Sequence, residues 1–182
     1  MTGSQTVGPF FKIGFAWLYR TDIGSETRSG ERLRIRGLVI DGDGLPVPDA
    51  LIEIWQADTQ GRYATGPDGQ AIADAEFMGF GRIPTDAQGG FEFRTVKPGR
   101  VQHPSGQLQA PHLNVTVFMR GLLKPMQTRL YFPDEPSNAS DPVLATVPEA
   151  RRSTLIARKG TENVLEWDVR MQGVHETVCF SF

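Results

Sequence analysis

The side chains that could carry chemistry are few in this sequence. It has three histidines, at positions 103, 112 and 175, three tyrosines and one cysteine, Cys179. The separations between the histidines match no short metal-binding motif. No phosphate-binding glycine loop, nucleophile elbow or paired-cysteine motif is present. Cys179 lies in the alternating stretch VCFSF, which predicts a buried structural thiol and not a nucleophile.

The elements that would position these residues are mostly strands. Clusters of glycine, proline, aspartate and asparagine separate short stretches in which apolar and polar residues alternate, as in a half-buried strand. This spacing predicts an all-β fold, an antiparallel β-sandwich. We also expect a short edge helix over 148–155, where a proline precedes an acidic residue, and a long loop over 64–79. The predicted strands cover 33–40, 50–57, 91–96, 112–120, 127–132, 164–171 and 176–182.

Length and composition favour a single soluble domain. The chain has 182 residues, a formal net charge of −2, 20 glycines and 13 prolines. The surplus of glycine and proline favours many turns over a helical bundle. The balanced charge gives no reason to expect nucleic acid, and no apolar run reaches the length of a membrane helix. We expect one cytoplasmic domain over 1–182 without membrane contact, with an N-terminal arm and linker over 1–31 and the β-sandwich over 32–182.

The N-terminal arm is unusually rich in aromatic residues. Such a patch either folds back on the chain's own sandwich or lies on a partner protein, because large exposed apolar surfaces mark interfaces. The sequence leaves both arrangements open. The large apolar side chains are Phe10, Phe11, Ile13, Phe15, Trp17, Leu18 and Tyr19.

A longer pattern covers nearly the whole chain. The segment 35–63, IRGLVIDGDGLPVPDALIEIWQADTQGRY, combines a strand, a turn glycine, a second strand containing IEI and a closing GRY. The segments 80–99, 110–114 and 129–132 continue the pattern in order. In these features the sequence resembles the intradiol ring-cleavage dioxygenases. The resemblance implies the β-sandwich of that family.

The resemblance also implies which positions correspond to iron ligands. Enzymes of this family hold Fe(III) with two tyrosines and two histidines, and phenolate oxygens suit this hard cation. The first tyrosine falls on Tyr63 and the first histidine on His112, but the other two ligands fall on Val101 and Asn114. Valine cannot bind iron, and an amide is a weak, neutral ligand. We expect four vestigial ligand positions, with no metal and no catalytic residue in this chain alone.

This ligand loss resembles one branch of the family, in which two homologous chains form the enzyme. There the beta subunit binds Fe(III), and the alpha chain completes its pocket. The resemblance places Gly8, Pro9 and Arg120 in the partner's substrate-binding pocket, where an arginine suits the carboxylate of a small aromatic acid. Arg129 is a second candidate. The expected partners are the homologous iron-binding beta subunit, further αβ pairs in a larger oligomer, an aromatic acid and O2.

Other interpretations stay open at this level. A β-sandwich can be a non-catalytic binding or scaffold module, because fold alone does not decide function. The chain can also be an autonomous iron dioxygenase with altered ligands. For single residues, Arg120 can be a surface arginine in a salt bridge, Tyr63 can cap the core, and His112 can be a hydrogen-bonded buried histidine.

Overall fold

The computed structural model describes residues 5–25, 29–66, 70 and 77–181. Most regular structure in these residues is β, and none of their helices is long and apolar enough to cross a membrane. The strands are β1 Arg32–Ile40, β2 Leu51–Trp55, β3 Phe80–Pro84, β4 Gly90–Val96, β5 His112–Phe118, β6 Met126–Tyr131, β7 Arg158–Lys159, β8 Val164–Glu166 and β9 Val169–Arg170. The helices are α1 Pro9–Gly14 and α2 Glu149–Arg152, with 3-10 turns at Ala16–Leu18, Pro136–Ser140 and Leu144–Thr146.

Two sheets pack face to face. One has the strand order β3-β2-β5-β6, and all its pairs are antiparallel. The other has the order β4-β1-β8-β7, and β9 also pairs with β1. In this second sheet β1 is antiparallel to β4 but parallel to β8 and β9. The predicted β-sandwich is therefore confirmed, and the two short pairings of β8 and β9 with β1 depart from antiparallel order.

Alternation along β5 decides what lies between the sheets. Leu113, Val115 and Val117 point into the core, and each is at most 1% exposed. They share one apolar cluster with Ile35 of β1 and Phe93 of β4, in the opposite sheet. The remaining residues of β5 therefore face away from this core.

The C-terminal stretch differs from its prediction. Residues 176–181 form no strand, although the backbone N–H of Phe180 donates to the Gln127 carbonyl at 2.8 Å. Cys179 is exposed, so the prediction of a buried thiol is wrong. This stretch lies beside β6 but forms no continuous ladder of hydrogen bonds with it. Its residues are therefore not forced to alternate between core and solvent.

Several element boundaries also differ from the predictions. The segment 80–84 is strand β3, which was not predicted because Gly81 and Pro84 interrupt its alternation. The predicted strand over 164–171 is divided into β8 and β9, and the predicted helix over 148–155 is α-helical only in α2. The loop predicted over 64–79 lies largely outside the described residues.

Gly37, in the middle of β1, lies against the segment that joins β8 and β9. A Cβ added at Gly37 would lie 1.7 Å from the carbonyl oxygen of Trp167. The Trp167 N–H also donates to the Arg36 carbonyl at 2.9 Å. This close approach of two backbones requires a residue without a Cβ. The glycine of the family pattern at this position is therefore a packing requirement.

We predict that Gly37→Ala lowers the free energy of unfolding by about 3 kcal/mol, the upper part of the usual range for overpacking, because the new methyl group collides with backbone that cannot move independently. Urea unfolding of the full chain, followed by circular dichroism, measures this loss. Gly14→Ala is the matched control, since a Cβ at Gly14 has no atom within 4 Å. Equal stability of the two variants would contradict the close approach.

The N-terminal arm folds back on the chain's own sandwich with one side and exposes apolar side chains on the other. On one side, the Phe11 ring packs on Phe118 at 5.2 Å between centroids. Lys12 Nζ, in α1, donates to the Pro48 carbonyl at 2.8 Å. On the other side, three large apolar side chains face solvent, with exposed fractions of 80%, 66% and 79% for Phe10, Ile13 and Trp17.

The end of the arm also ties the two sheets together. Arg20 pairs with Arg82 of β3, and the Ile23 N–H donates to the Arg94 carbonyl of β4 at 2.8 Å. Ile23 is fully buried in the core cluster. The arm is therefore part of the sandwich at residues 20–23, before β1 begins.

Candidate functional site

The outer face of β5 and β6 carries two of the positions that the family resemblance assigns to iron ligands. His112 and Asn114 are two residues apart on β5, so both point away from the core. In the register with β6, His112 lies opposite Tyr131, and Asn114 lies opposite Arg129. Asn114 also lies opposite Trp55 of β2. These residues form one cluster, which we call the outer-face cluster.

Tyr63 joins the outer-face cluster from the turn that follows β2. Its ring is nearly parallel to that of Trp55, with 6.0 Å between centroids. Its hydroxyl accepts a hydrogen bond from Asn114 Nδ2 at 3.0 Å. Burial raises the pKa of Tyr63 above its usual value, although the Asn114 hydrogen bond and the Arg129 charge act to lower it. The phenol is therefore protonated at neutral pH.

Val101 lies on the loop beside this turn. Gly61 has φ of +80°, and a Cβ there would lie 1.9 Å from the Arg100 carbonyl oxygen. Val101 itself is buried, and its carbonyl accepts from the Gln109 N–H at 2.8 Å. The backbone therefore brings position 101 close to the turn of Tyr63, but its side chain offers no ligand atom.

His112 is a buried, neutral imidazole. Its Nδ1 is 2.7 Å from the Ala110 carbonyl, to which it donates, and its residue is 1% exposed. Nε2 has no hydrogen-bond partner among the described residues. Burial, aided by the charge of Arg129, lowers the pKa of His112 to about 4. The interpretation of His112 as a hydrogen-bonded buried histidine is confirmed.

Arg129 places a guanidinium inside the outer-face cluster. The residue is 8% exposed, and its Nη1 donates to Gln109 Oε1 at 2.7 Å. Nη1 also lies 3.4 Å from the Tyr131 hydroxyl, which donates to Asp141 Oδ1 at 3.1 Å. Asp141 is fully buried and accepts from the Ala110 N–H at 2.7 Å. A continuous polar network therefore connects the cation to a buried carboxylate.

Sequence reasoning missed Gln109 and Asp141. Gln109 precedes the recognised APHLN segment directly, so its place beside the ligand positions was available from chain order. Asp141 lies in the polar stretch SNASDP, which resembles any surface turn. Its burial results from the packing of residues 136–157 over Tyr131 in a second apolar cluster, which the sequence pattern does not indicate.

The donor set of the outer-face cluster does not fit ferric iron as the family holds it. Of the four ligand positions, only Tyr63 and His112 carry a phenol and an imidazole. Asn114 has an amide that is hydrogen-bonded to the Tyr63 phenol, and Val101 has no ligand atom. The other phenol of the cluster, Tyr131, donates to Asp141. No group of three or more His, Cys, Asp or Glu side chains in the described ranges is arranged to hold a metal ion. The cation present in the cluster is the guanidinium of Arg129.

The other predicted site residues lie at the opposite end of β5. This strand ends at Phe118, two residues earlier than predicted, and Arg120 follows it. The Gly121 N–H donates to Thr6 Oγ1 at 2.8 Å. This bond places the start of the arm beside Arg120, with Gly8 two residues further on and Pro9 opening α1. At ~3.3 Å per residue this edge lies roughly 20 Å from the outer-face cluster.

An ion pair orients Arg120 at this edge. Its Nε lies 3.3 Å from Asp49 Oδ2, and the arginine side chain is 66% exposed against 16% for the aspartate. Lys12 holds the adjacent Pro48 carbonyl. The salt bridge left open by the sequence is therefore present, and the guanidinium still faces outward. Sequence reasoning missed Asp49 and Thr6. Asp49 lies within the segment 35–63, but nothing in that pattern assigns it a contact, and the same holds for Thr6 in the arm.

The fold and the motifs together define a class of protein. The family model described as dioxygenase matches residues 16–173. The chain belongs to this family, the intradiol dioxygenases whose sequence pattern it carries.

Two relatives of known name and one solved structure show which members of the family this chain is similar to. The alpha chain of protocatechuate 3,4-dioxygenase from Burkholderia cepacia is 44% identical over 195 aligned residues, covering 98% of this chain and 96% of that one. The beta chain from the same organism is 39% identical over 133 residues, covering 71% of this chain and 56% of that one. Among solved structures, the dioxygenase domain of a dioxygenase carbohydrate-binding protein fusion from Streptomyces sp. SirexAA-E has a TM-score of 0.63 at 25% identity, covering 88% of this chain and 89% of that one.

The burial of His112 predicts a dependence of stability on pH. Because the pKa of His112 falls from 6.5 to about 4 on folding, the unfolded chain binds the proton more readily. The free energy of unfolding therefore falls as the pH is lowered from about 6.5 to about 4, by on the order of 3 kcal/mol. His112→Gln should remove this part of the pH dependence in urea unfolding measured across that range. His175→Gln, at an exposed position, should leave it unchanged, and an unchanged slope in His112→Gln would contradict a buried neutral imidazole.

Proposed function

We propose that this chain is the non-iron-binding alpha subunit of a protocatechuate 3,4-dioxygenase. It pairs with a homologous beta subunit that binds Fe(III). The complex cleaves 3,4-dihydroxybenzoate with O2 to 3-carboxy-cis,cis-muconate, and both oxygen atoms enter the product. The observation that carries this proposal is the replacement of two ligand positions by Val101 and Asn114 in a chain that matches an alpha chain over nearly its full length.

The part that this chain adds to the partner's pocket is the edge formed by Gly8, Pro9 and Arg120. The substrate is an anion at neutral pH, and a planar guanidinium donates two parallel hydrogen bonds to a carboxylate. Asp49 orients Arg120 without burying it, since two thirds of the arginine side chain stays exposed. Gly8 leaves room at the pocket wall, because a Cβ there would have no atom within 4 Å in this chain. These features support a role for this edge in holding the aromatic acid.

The solvent-facing side of the arm supports the pairing itself. Phe10, Ile13 and Trp17 expose apolar surface on the segment that also carries Gly8 and Pro9. Burying large aromatic side chains provides much of the binding energy in protein interfaces. In this proposal the beta subunit covers these side chains, several αβ pairs form the larger oligomer, and the complex works in the cytoplasm.

Co-expression with a candidate beta subunit tests the assignment. We expect a stable complex that contains one iron per αβ pair and consumes O2 only when protocatechuate is present. The separately purified chain should be colourless. An iron-bearing, active chain without its partner would establish an autonomous dioxygenase instead, and a folded chain that neither pairs nor binds iron would favour a binding module.

Replacing Arg120 tests the substrate contact. In the purified complex, Arg120→Ala should raise KM for protocatechuate and lower kcat/KM. The loss of transition-state stabilisation should be on the order of 1.5–3 kcal/mol, because a charge-assisted hydrogen bond is lost. The iron content should not change. Arg34→Ala is the matched control, since Arg34 is also a half-exposed, ion-paired arginine but lies on β1 in the other sheet. Steady-state kinetics identical to wild type would rule out this role for Arg120.

A further inference from the structure

Arg129 is a buried arginine, and proteins rarely bury a charged side chain. The register of β6 puts it directly opposite Asn114, and the residue is 8% exposed. Removing a guanidinium from water is costly unless hydrogen bonds or an opposite charge compensate for it. The neighbours of Arg129 therefore show what this charge does.

The direct partners of Arg129 are neutral. Nη1 donates to the amide oxygen of Gln109 at 2.7 Å and lies 3.4 Å from the Tyr131 hydroxyl. No carboxylate of a described residue lies within ion-pair distance of the guanidinium. Asp141 is reached only through Tyr131, and Arg129 Nε has no hydrogen-bond partner in the described part of the chain. The positive charge is therefore not neutralised by direct contact.

The uncompensated charge acts on the residues at the ligand positions. Arg129 faces Asn114 across the β5–β6 ladder, and Asn114 donates to the hydroxyl of Tyr63. On the other side, the Tyr131 ring that Arg129 approaches packs on His112, with 5.8 Å between ring centroids. Arg129 is therefore connected to Tyr63 through Asn114 and to His112 through Tyr131, with one side chain between them in each case.

We propose that the guanidinium of Arg129 is a built-in cation that takes the place of a metal ion in the outer-face cluster and excludes metal from it. A second positive charge beside an incompletely neutralised guanidinium is repelled strongly at a buried position. The exclusion therefore depends on the charge of Arg129 as well as on the missing ligands. This inference rests on the proposed function, in which iron is bound by the partner and not by this chain.

The test restores a histidine at position 114 and then changes the charge of the side chain at position 129. The full chain, without a partner, is prepared as wild type, Asn114→His, Asn114→His/Arg129→Gln and Asn114→His/Arg129→Lys. Each protein is titrated with ferric citrate, and the tyrosinate-to-iron absorption band reports ligation by Tyr63. Glutamine can still hydrogen-bond to Gln109 but carries no charge, whereas lysine keeps the charge. Circular dichroism and thermal unfolding check that each variant is folded.

We expect the neutral variant, Asn114→His/Arg129→Gln, to bind ferric iron about 10- to 100-fold more tightly than Asn114→His, with a tyrosinate band. The lysine variant should bind no better than Asn114→His. Equal affinity with glutamine and with arginine at position 129, or no iron binding by either, would overturn the inference. So would a lysine variant that binds as tightly as the glutamine variant.

Variants that fail to fold also test the proposal. Arg129→Met replaces Arg129→Gln if the latter unfolds. If both neutral variants unfold while the lysine variant stays folded, the cluster requires a positive charge, which supports the proposal. If the lysine variant unfolds with them, the hydrogen bonds of the guanidinium and not its charge are essential, and the proposal fails. Iron bound by the wild-type chain would refute both the assignment of iron to the partner and this inference. Equal affinity of the glutamine and arginine variants, with no iron on the wild-type chain, would refute this inference alone, so the two failures can be distinguished.

Discussion

Strand β5 can bury only one of its faces between the sheets, and the placement of every candidate site depends on this constraint. Leu113, Val115 and Val117 occupy the core. A shift of one residue would move all three to the outside, so the register is strongly specified. His112 and Asn114 must then lie on the outer face at one end of the strand. Arg120 must follow at the other end, where the arm and the Asp49 loop meet it.

The outer face of β5 carries hydrogen-bonded side chains at the positions that the family resemblance assigns to iron ligands. In the wider family this position is a ferric site, whereas here an amide binds the phenol of Tyr63 and a guanidinium lies across the ladder. The network through Tyr131 to Asp141 brings a negative charge near without a direct ion pair. Hydrogen bonds hold these side chains in place, although His112 Nε2 and Arg129 Nε have no partner in the described part of the chain.

The N-terminal arm links structure and proposed function. Its anchors in this chain are Ile23 in the core, the Phe11 contact and the Lys12 hydrogen bond. These contacts hold α1 in place while its other side stays apolar and exposed. One short segment can therefore be ordered before a partner binds, which lowers the entropic cost of association.

The sequence by itself determined the sandwich and most of its strands, because alternation and chain order are contained directly in a sequence. The correspondence of Tyr63, Val101, His112 and Asn114 to ligand positions is instead what the family resemblance implies. The tertiary structure decided the burial of Asp141, the contact of Arg129 with Gln109 and the exposure of Cys179. Those depend on which segments cover the outer face of a sheet, and residues distant in the chain meet there. Alternation predicts which side chains leave the core, but not what they contact once they have left it.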